Sequence, residues 1–175
     1  MWRLRELRRS IQKLYYWFHI IWKDRDWDHD YIFEILKHKL KSQSKYLETQ
    51  DSHLRVQQDV RRIKLCISLI AKVQDETYKM EYQDYLEDEI RFEDYKDKEG
   101  FKEIHIDTIS ENLEDYFKKY PLIYKRVLNG EGMFSREGRE DDKEIIALNI
   151  AHINQNRAHK LLFKTLEENI LGWWD

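Results

Sequence analysis

One proline and five glycines in 175 residues leave the chain almost without punctuation. Proline removes a backbone donor, and glycine raises the entropy cost of ordering. A chain that uses so few of either, and draws on Leu, Ile, Lys and Glu, is set up for long helices. Spacing agrees. Leu7, Ile11, Leu14, Tyr15, Phe18, Ile21 and Trp22 recur in steps of three and four, opposite Arg5, Arg8, Arg9 and Lys13. The spacing predicts a first helix over Trp2–Trp22, its apolar face packed on the rest of the chain; lying on a membrane surface is the other use of such a pattern. A second helix is expected from Asp26 or Asp28 to Thr49, with Ile32, Ile35, Leu36, Leu40 and Leu47 inward. A third is expected over His53–Met80, carried by Val56, Val60, Ile63, Ile67, Ile70 and Val73. Short connections would make these an up-down-up bundle.

Residues 75–99 are acidic and rich in tyrosine. Tyr78, Tyr82, Tyr85 and Leu86 keep helical spacing, which predicts a solvated acidic helical face. Phe101, Ile104 and Ile106 alternate, as in a short extended segment, but one strand alone makes no sheet. Ser110 is expected to cap "ENLEDYFKKY". Pro121 should end that helix and open the next, which stops at Asn129-Gly130. "GEGMFSREGRED" reads as the main loop, and a long last helix is expected over Asp141–Trp174. The expected fold is all-α: a single domain, 1–175, of five to seven helices with a long C-terminal helix, forming a homo-oligomer.

Composition removes several function classes. The one cysteine, Cys66, lies in the apolar run "IKLCISLI". It allows neither a disulfide framework nor a Cys-rich zinc site, fits a reducing compartment, and reads as a buried thiol. No apolar run reaches the roughly 20 residues that span a bilayer. A cytoplasmic protein with no membrane partner is therefore expected. Net charge is −3 with both signs intermixed, so duplex nucleic acid is not an expected partner. Neither a P-loop nor a G-x-G-x-x-G turn nor a nucleophile elbow is present, so any phosphate site must use side chains and helix N-termini. No catalytic residue, metal ligand or cofactor is assigned.

Two stretches carry candidate chemistry. In "WKDRDWDHDY" four aspartates alternate, and side chains two apart do not share a helix face. The glycine of a calcium loop is missing from the required position. Asp26 or Asp28 as helix cap accounts for most of the stretch, while Arg25 either clamps the turn or faces a ligand. Glu34 and His38, four apart, have a spacing that can bind metal. The second stretch lies on the last helix, where Ile145, Asn149, His152, Asn156, His159, Phe163, Leu166 and Ile170 share one face. Its polar middle faces water, forms a buried network, or lines a pocket. In the pocket reading Trp22 and Trp27 wall the site, and Asn149, His152 and Asn156 read polar edges. Arg25, Lys37 and Arg157 then meet phosphate, with Asp24 and Asp26 orienting Arg25 or accepting ribose hydroxyls.

"YYWFHIIWKDRDWDHDYIFEILKHKL", "RIKLCISLIAKV" and "NRAHKLLFKTLEENILGWWD" together resemble a group of small, uncharacterised phage-encoded all-helical proteins. The shared marks are W-x-D-x-D-W-D at the second helix and the terminal Trp173, Trp174 and Asp175. The likeness covers most of the chain, and segment 75–99 departs from it. The resemblance implies an anti-defence role: binding and sequestering a small nucleotide-derived immune signal without cleaving it. The alternatives are a metal-dependent nucleotide hydrolase using Asp24–Asp30 with Glu34 and His38, and a module that binds a host protein.

Overall fold

The computed structural model describes residues 2–23, 28, 30–49, 55–94, 101–110, 112–134 and 143–174. Among them are seven α-helices, two short 3-10 segments and one two-stranded sheet, so the chain is all-α with a small hairpin. Its residues divide into two compact units, one of residues 1–74 and 162–175, the other of residues 75–161.

In the first unit, α1 (Trp2–Ile21), α2 (Asp30–Glu48) and α3 (Val56–Gln74) follow in order. Asp28 opens α2 by accepting the Asp30 N–H on its carboxylate at 3.0 Å, as a helix-start aspartate should. Helices α2 and α3 pair antiparallel: Gln74 donates to the Asp30 carbonyl at 3.2 Å, and Lys64 meets Glu48 at 2.8 Å toward the other end. On α3, Ile63, Cys66 and Ile70 are fully buried at helical spacing. Each isoleucine of that kind contributes roughly 1.5–3 kcal/mol. On α2 the inward stripe begins late. Leu40 and Leu47 are buried, whereas Ile32 and Ile35 are exposed.

The last helix, α7 (Lys143–Asn169), gives its final turns to this unit, followed by a 3-10 segment, Ile170–Trp174. There Leu162, Leu166 and Trp173 are buried, and Gln43 donates to the Trp173 carbonyl at 3.0 Å.

Helix α1 overturns one expectation. Leu7, Ile11, Leu14, Tyr15, Phe18, Ile21 and Trp22 are all exposed. The helix is held by its other side, where Ile20 is buried, Tyr16 bonds Ser42 Oγ at 2.6 Å, and the Tyr16 and Trp17 rings lie 4.1 and 4.7 Å from His38. Three aromatic or aliphatic side chains on the basic flank outweigh the longer stripe, because they meet a ring and a hydroxyl on α2.

Helix α3 also stops earlier than its spacing predicts. Glu76 adopts a left-handed backbone, φ 46°, which no helix interior accepts. The chain restarts as α4 (Thr77–Met80) and a 3-10 segment, Glu81–Tyr85.

The second unit holds the hairpin β1 (Glu87–Asp94) and β2 (Lys102–Ile109), antiparallel with Ile90 opposite Ile106 and Phe92 opposite Ile104. The extended reading of β2 therefore has the partner that it lacked, supplied by the acidic segment. Helix α5 (Leu113–Lys119) begins at Asn112 rather than at a Ser110 cap. Asn112 spends its amide on Glu87 at 3.0 Å. Pro121 takes the first position of α6 (Pro121–Leu128), where its missing N–H costs nothing. That helix ends at Gly130, φ 92°, with Gly130 N–H bonded to the Val127 carbonyl and Glu131 N–H to that of Arg126. The core of the unit joins Leu113, Tyr116, Phe117, Ile123 and Val127 to Ile146, Ala147 and Ile150 of α7. Tyr120 donates to Glu81 at 2.5 Å, and Lys119 pairs with the same carboxylate.

Candidate functional site

Polar residues at positions 34, 37, 38 and 41 of α2 fall at helical steps of three and four, so Glu34, Lys37, His38 and Lys41 share a side. Opposite stand His19 and Lys23, four apart at the end of α1, with Ile20 and Tyr31. These eight line a cavity of about 400 Å³, within the roughly 300–1,000 Å³ of small-molecule sites.

The charge around it is lopsided. Three lysines and two histidines face one carboxylate. Glu34 is already engaged: Lys37 Nζ donates to it at 2.5 Å and to Gln74 at 2.8 Å. That lysine bond, more than anything else, holds the Glu34 carboxyl below its ordinary range. Lys23 and Lys41 have no ion-pair partner among the described residues.

His38 is the unusual group. Its Nε2 is buried without a hydrogen-bond partner among the described residues. Its ring is walled by Tyr16 and Trp17, with His19 5.4 Å away. Desolvation chiefly, then the neighbouring His19 and Lys41 charges, push the imidazole below its ordinary 6.5. An oxyanion in the cavity would supply what this wall lacks: a counter-charge for two lysines.

The sequence-derived site residues distribute as follows. Lys37 lines the cavity. Trp22 precedes the lining residue Lys23 and is 76% exposed. Asp24, Arg25, Asp26 and Trp27 lie outside the described residues. Glu34 and His38 do stand together, as cavity wall.

In the second unit Asn149 is 1% exposed, and both ends of its amide are spent on one residue. Oδ1 accepts the Phe134 N–H at 3.0 Å, and Nδ2 donates to the Phe134 carbonyl at 3.1 Å. His152 sets its ring at 6.2 Å, edge-on, to Phe134. Asn156 and Arg157 are exposed on the next turn of α7. Of the three accounts of the polar stripe, Asn149 follows the network and Asn156 the solvent.

Sequence reasoning missed His19, Lys23, Tyr31 and Lys41. The 34-37-38-41 spacing was a readable signal for Lys41; nothing in the sequence tied His19 or Lys23 to it.

The second unit has a larger hollow, about 800 Å³, over the stacked rings of Phe117 and Tyr124. Two of its three lysines are already paired, Lys143 with Glu114 and Lys118 with Asp115. It therefore offers less free positive charge. Among the described residues no group of three or more His, Cys, Asp or Glu could hold a metal ion, and no helix is long and apolar enough to cross a membrane. Comparison of the chain with protein-family models, curated proteins and solved structures finds no match.

Proposed function

We propose that the chain binds a small phosphorylated ligand in the cavity of its first unit and holds it intact. One observation carries this reading: five side chains that are or can become cationic surround about 400 Å³ with a single, already engaged carboxylate. Lys23 and Lys41 supply point charges for phosphate oxygens. His19 and His38 add charge once protonated. Tyr31 brings an aromatic face on which a base can stack. The likeness to phage proteins adds the setting, in which the ligand is a nucleotide-derived immune signal removed from circulation. Binding without cleavage is favoured over hydrolysis because Glu34, the carboxylate that would act as base or metal ligand, is committed to Lys37.

The test is extraction of small molecules from the purified full chain, followed by mass spectrometry, with titration calorimetry using linear and cyclic nucleotides and pyrophosphate. An intact nucleotide, and affinity at least tenfold lower in Lys23→Ala/Lys41→Ala, are expected. Recovery of a cleaved nucleotide, or no heat with any of these probes, overturns the proposal.

A further inference from the structure

Helix α1 presents to solvent the face that its sequence marks as apolar. Leu4, Leu7, Ile11, Leu14, Phe18 and Trp22 recur in steps of three and four, and each is more than half exposed. At 100° per residue they fall within one arc. Tyr16, Trp17 and Ile20, which fasten the helix to α2, lie on the opposite side. Residues 4–16 are exposed on every side of the helix, and only Trp17 and Ile20 are covered, so nothing among the described residues closes the arc along about 30 Å of helix. Soluble chains seldom leave so continuous an apolar strip uncovered.

Charge selects the occupant. Residues 2–21 hold five arginine and lysine side chains and one carboxylate, in a chain whose net charge is −3. Among the described pairs, Arg9 meets Glu6 at 3.7 Å, leaving the basic excess unanswered within the helix. A second copy docked arc to arc would cover the apolar strip but leave the arginines and lysine, which lie on the other side of the helix, unanswered. An anionic lipid surface answers both features: headgroups neutralise arginine and lysine while the acyl boundary takes up leucine, phenylalanine and tryptophan.

We propose that α1 is a surface-seeking helix that lays this arc on an anionic membrane, without crossing it. The proposal does not depend on the cavity reading. Co-sedimentation of the full chain with vesicles of phosphatidylglycerol and phosphatidylcholine is the test, with phosphatidylcholine vesicles alone as comparison. The wild type should bind the anionic vesicles at least tenfold more tightly, and less so as salt rises. Leu7→Ser/Ile11→Ser/Phe18→Ser, all at exposed positions, should lose binding while far-UV circular dichroism stays unchanged. Arg5→Gln/Arg9→Gln should weaken it by roughly fivefold per charge. Equal binding to neutral vesicles, or none to either, overturns the proposal. So does a dimer in sedimentation velocity that the serine variant dissolves in the absence of any vesicle binding; that result assigns the arc to a second copy.

Discussion

Replacing Gly132 with alanine tests whether Asn149 is a structural clasp. A Cβ at Gly132 would overlap Oδ1 and Cγ of Asn149 and stand 3.0 Å from Nδ2. Asn149 is buried and cannot retreat, so the 131–134 segment must move and both amide bonds to Phe134 break. Each bond is worth about 1 kcal/mol net, and leaving the buried amide without partners costs roughly 1–3 kcal/mol more. The expected loss is about 3–5 kcal/mol. For a chain of this size that lowers Tm by roughly 6–20 °C. Asn149→Ala removes the same bonds but leaves no orphan amide, so it should cost about 2–3 kcal/mol. The double variant is the decisive case. Once Asn149→Ala has removed the amide, the overlap is gone, and Gly132→Ala should add almost nothing to the loss. Urea unfolding of the four proteins, followed by near-UV circular dichroism, gives the cycle. Additive losses would refute the clasp. So would an Asn149→Ala variant of unchanged stability that has lost ligand binding, since that outcome makes Asn149 a reader of ligand.

Three further outcomes follow from the first unit. His38 is held below 6.5 in the fold, so the fold favours neutral imidazole; that contribution is present above 6.5 and is lost as pH falls below it through the folded value. Tm measured across that acid range should fall, His38→Gln should flatten the fall, and pyrophosphate should raise Tm more at the acid end; a slope unchanged in the variant would count against the assignment. Trp173 is 2% exposed and closes over α2, so Trp173→Ala should cost about 3–5 kcal/mol and lower Tm by on the order of 10 °C in a thermal melt. Lys37→Met removes the donor that joins Glu34 to Gln74 and should cost about 1–2 kcal/mol in urea unfolding.

The helices were legible because a period near 3.6 is a local property. Val60, Ile63, Ile70, Leu40 and Leu47 are buried as their spacing predicts. What periodicity does not say is whether an apolar stripe has a partner. On α1 the best stripe of the chain is exposed, and the helix is held by side chains from its polar flank. The hairpin was half legible. β2 alternates, but β1 reads "EDEIRFED", where acidic residues poor in strand propensity hide the alternation of Ile90 and Phe92. Pairing with β2 decides its state, and pairing is not local. Glu76 gave no signal at all, since a left-handed residue is normally announced by glycine. Within the cavity, α2 supplied a readable polar side. Its meeting with His19 and Lys23 depends on how Tyr16 and Trp17 seat α1, a tertiary choice.

Cys66 is the chain's one thiol, and it is completely enclosed between the turns of α3 and their neighbours. Its enclosure lifts the thiol to about 11, so at neutral pH almost none is thiolate even before access is considered. Labelling at this sulfur must therefore wait for α3 to open. A slow alkylating reagent becomes a clock for excursions of the first unit alone, read by mass with no probe added and no residue changed.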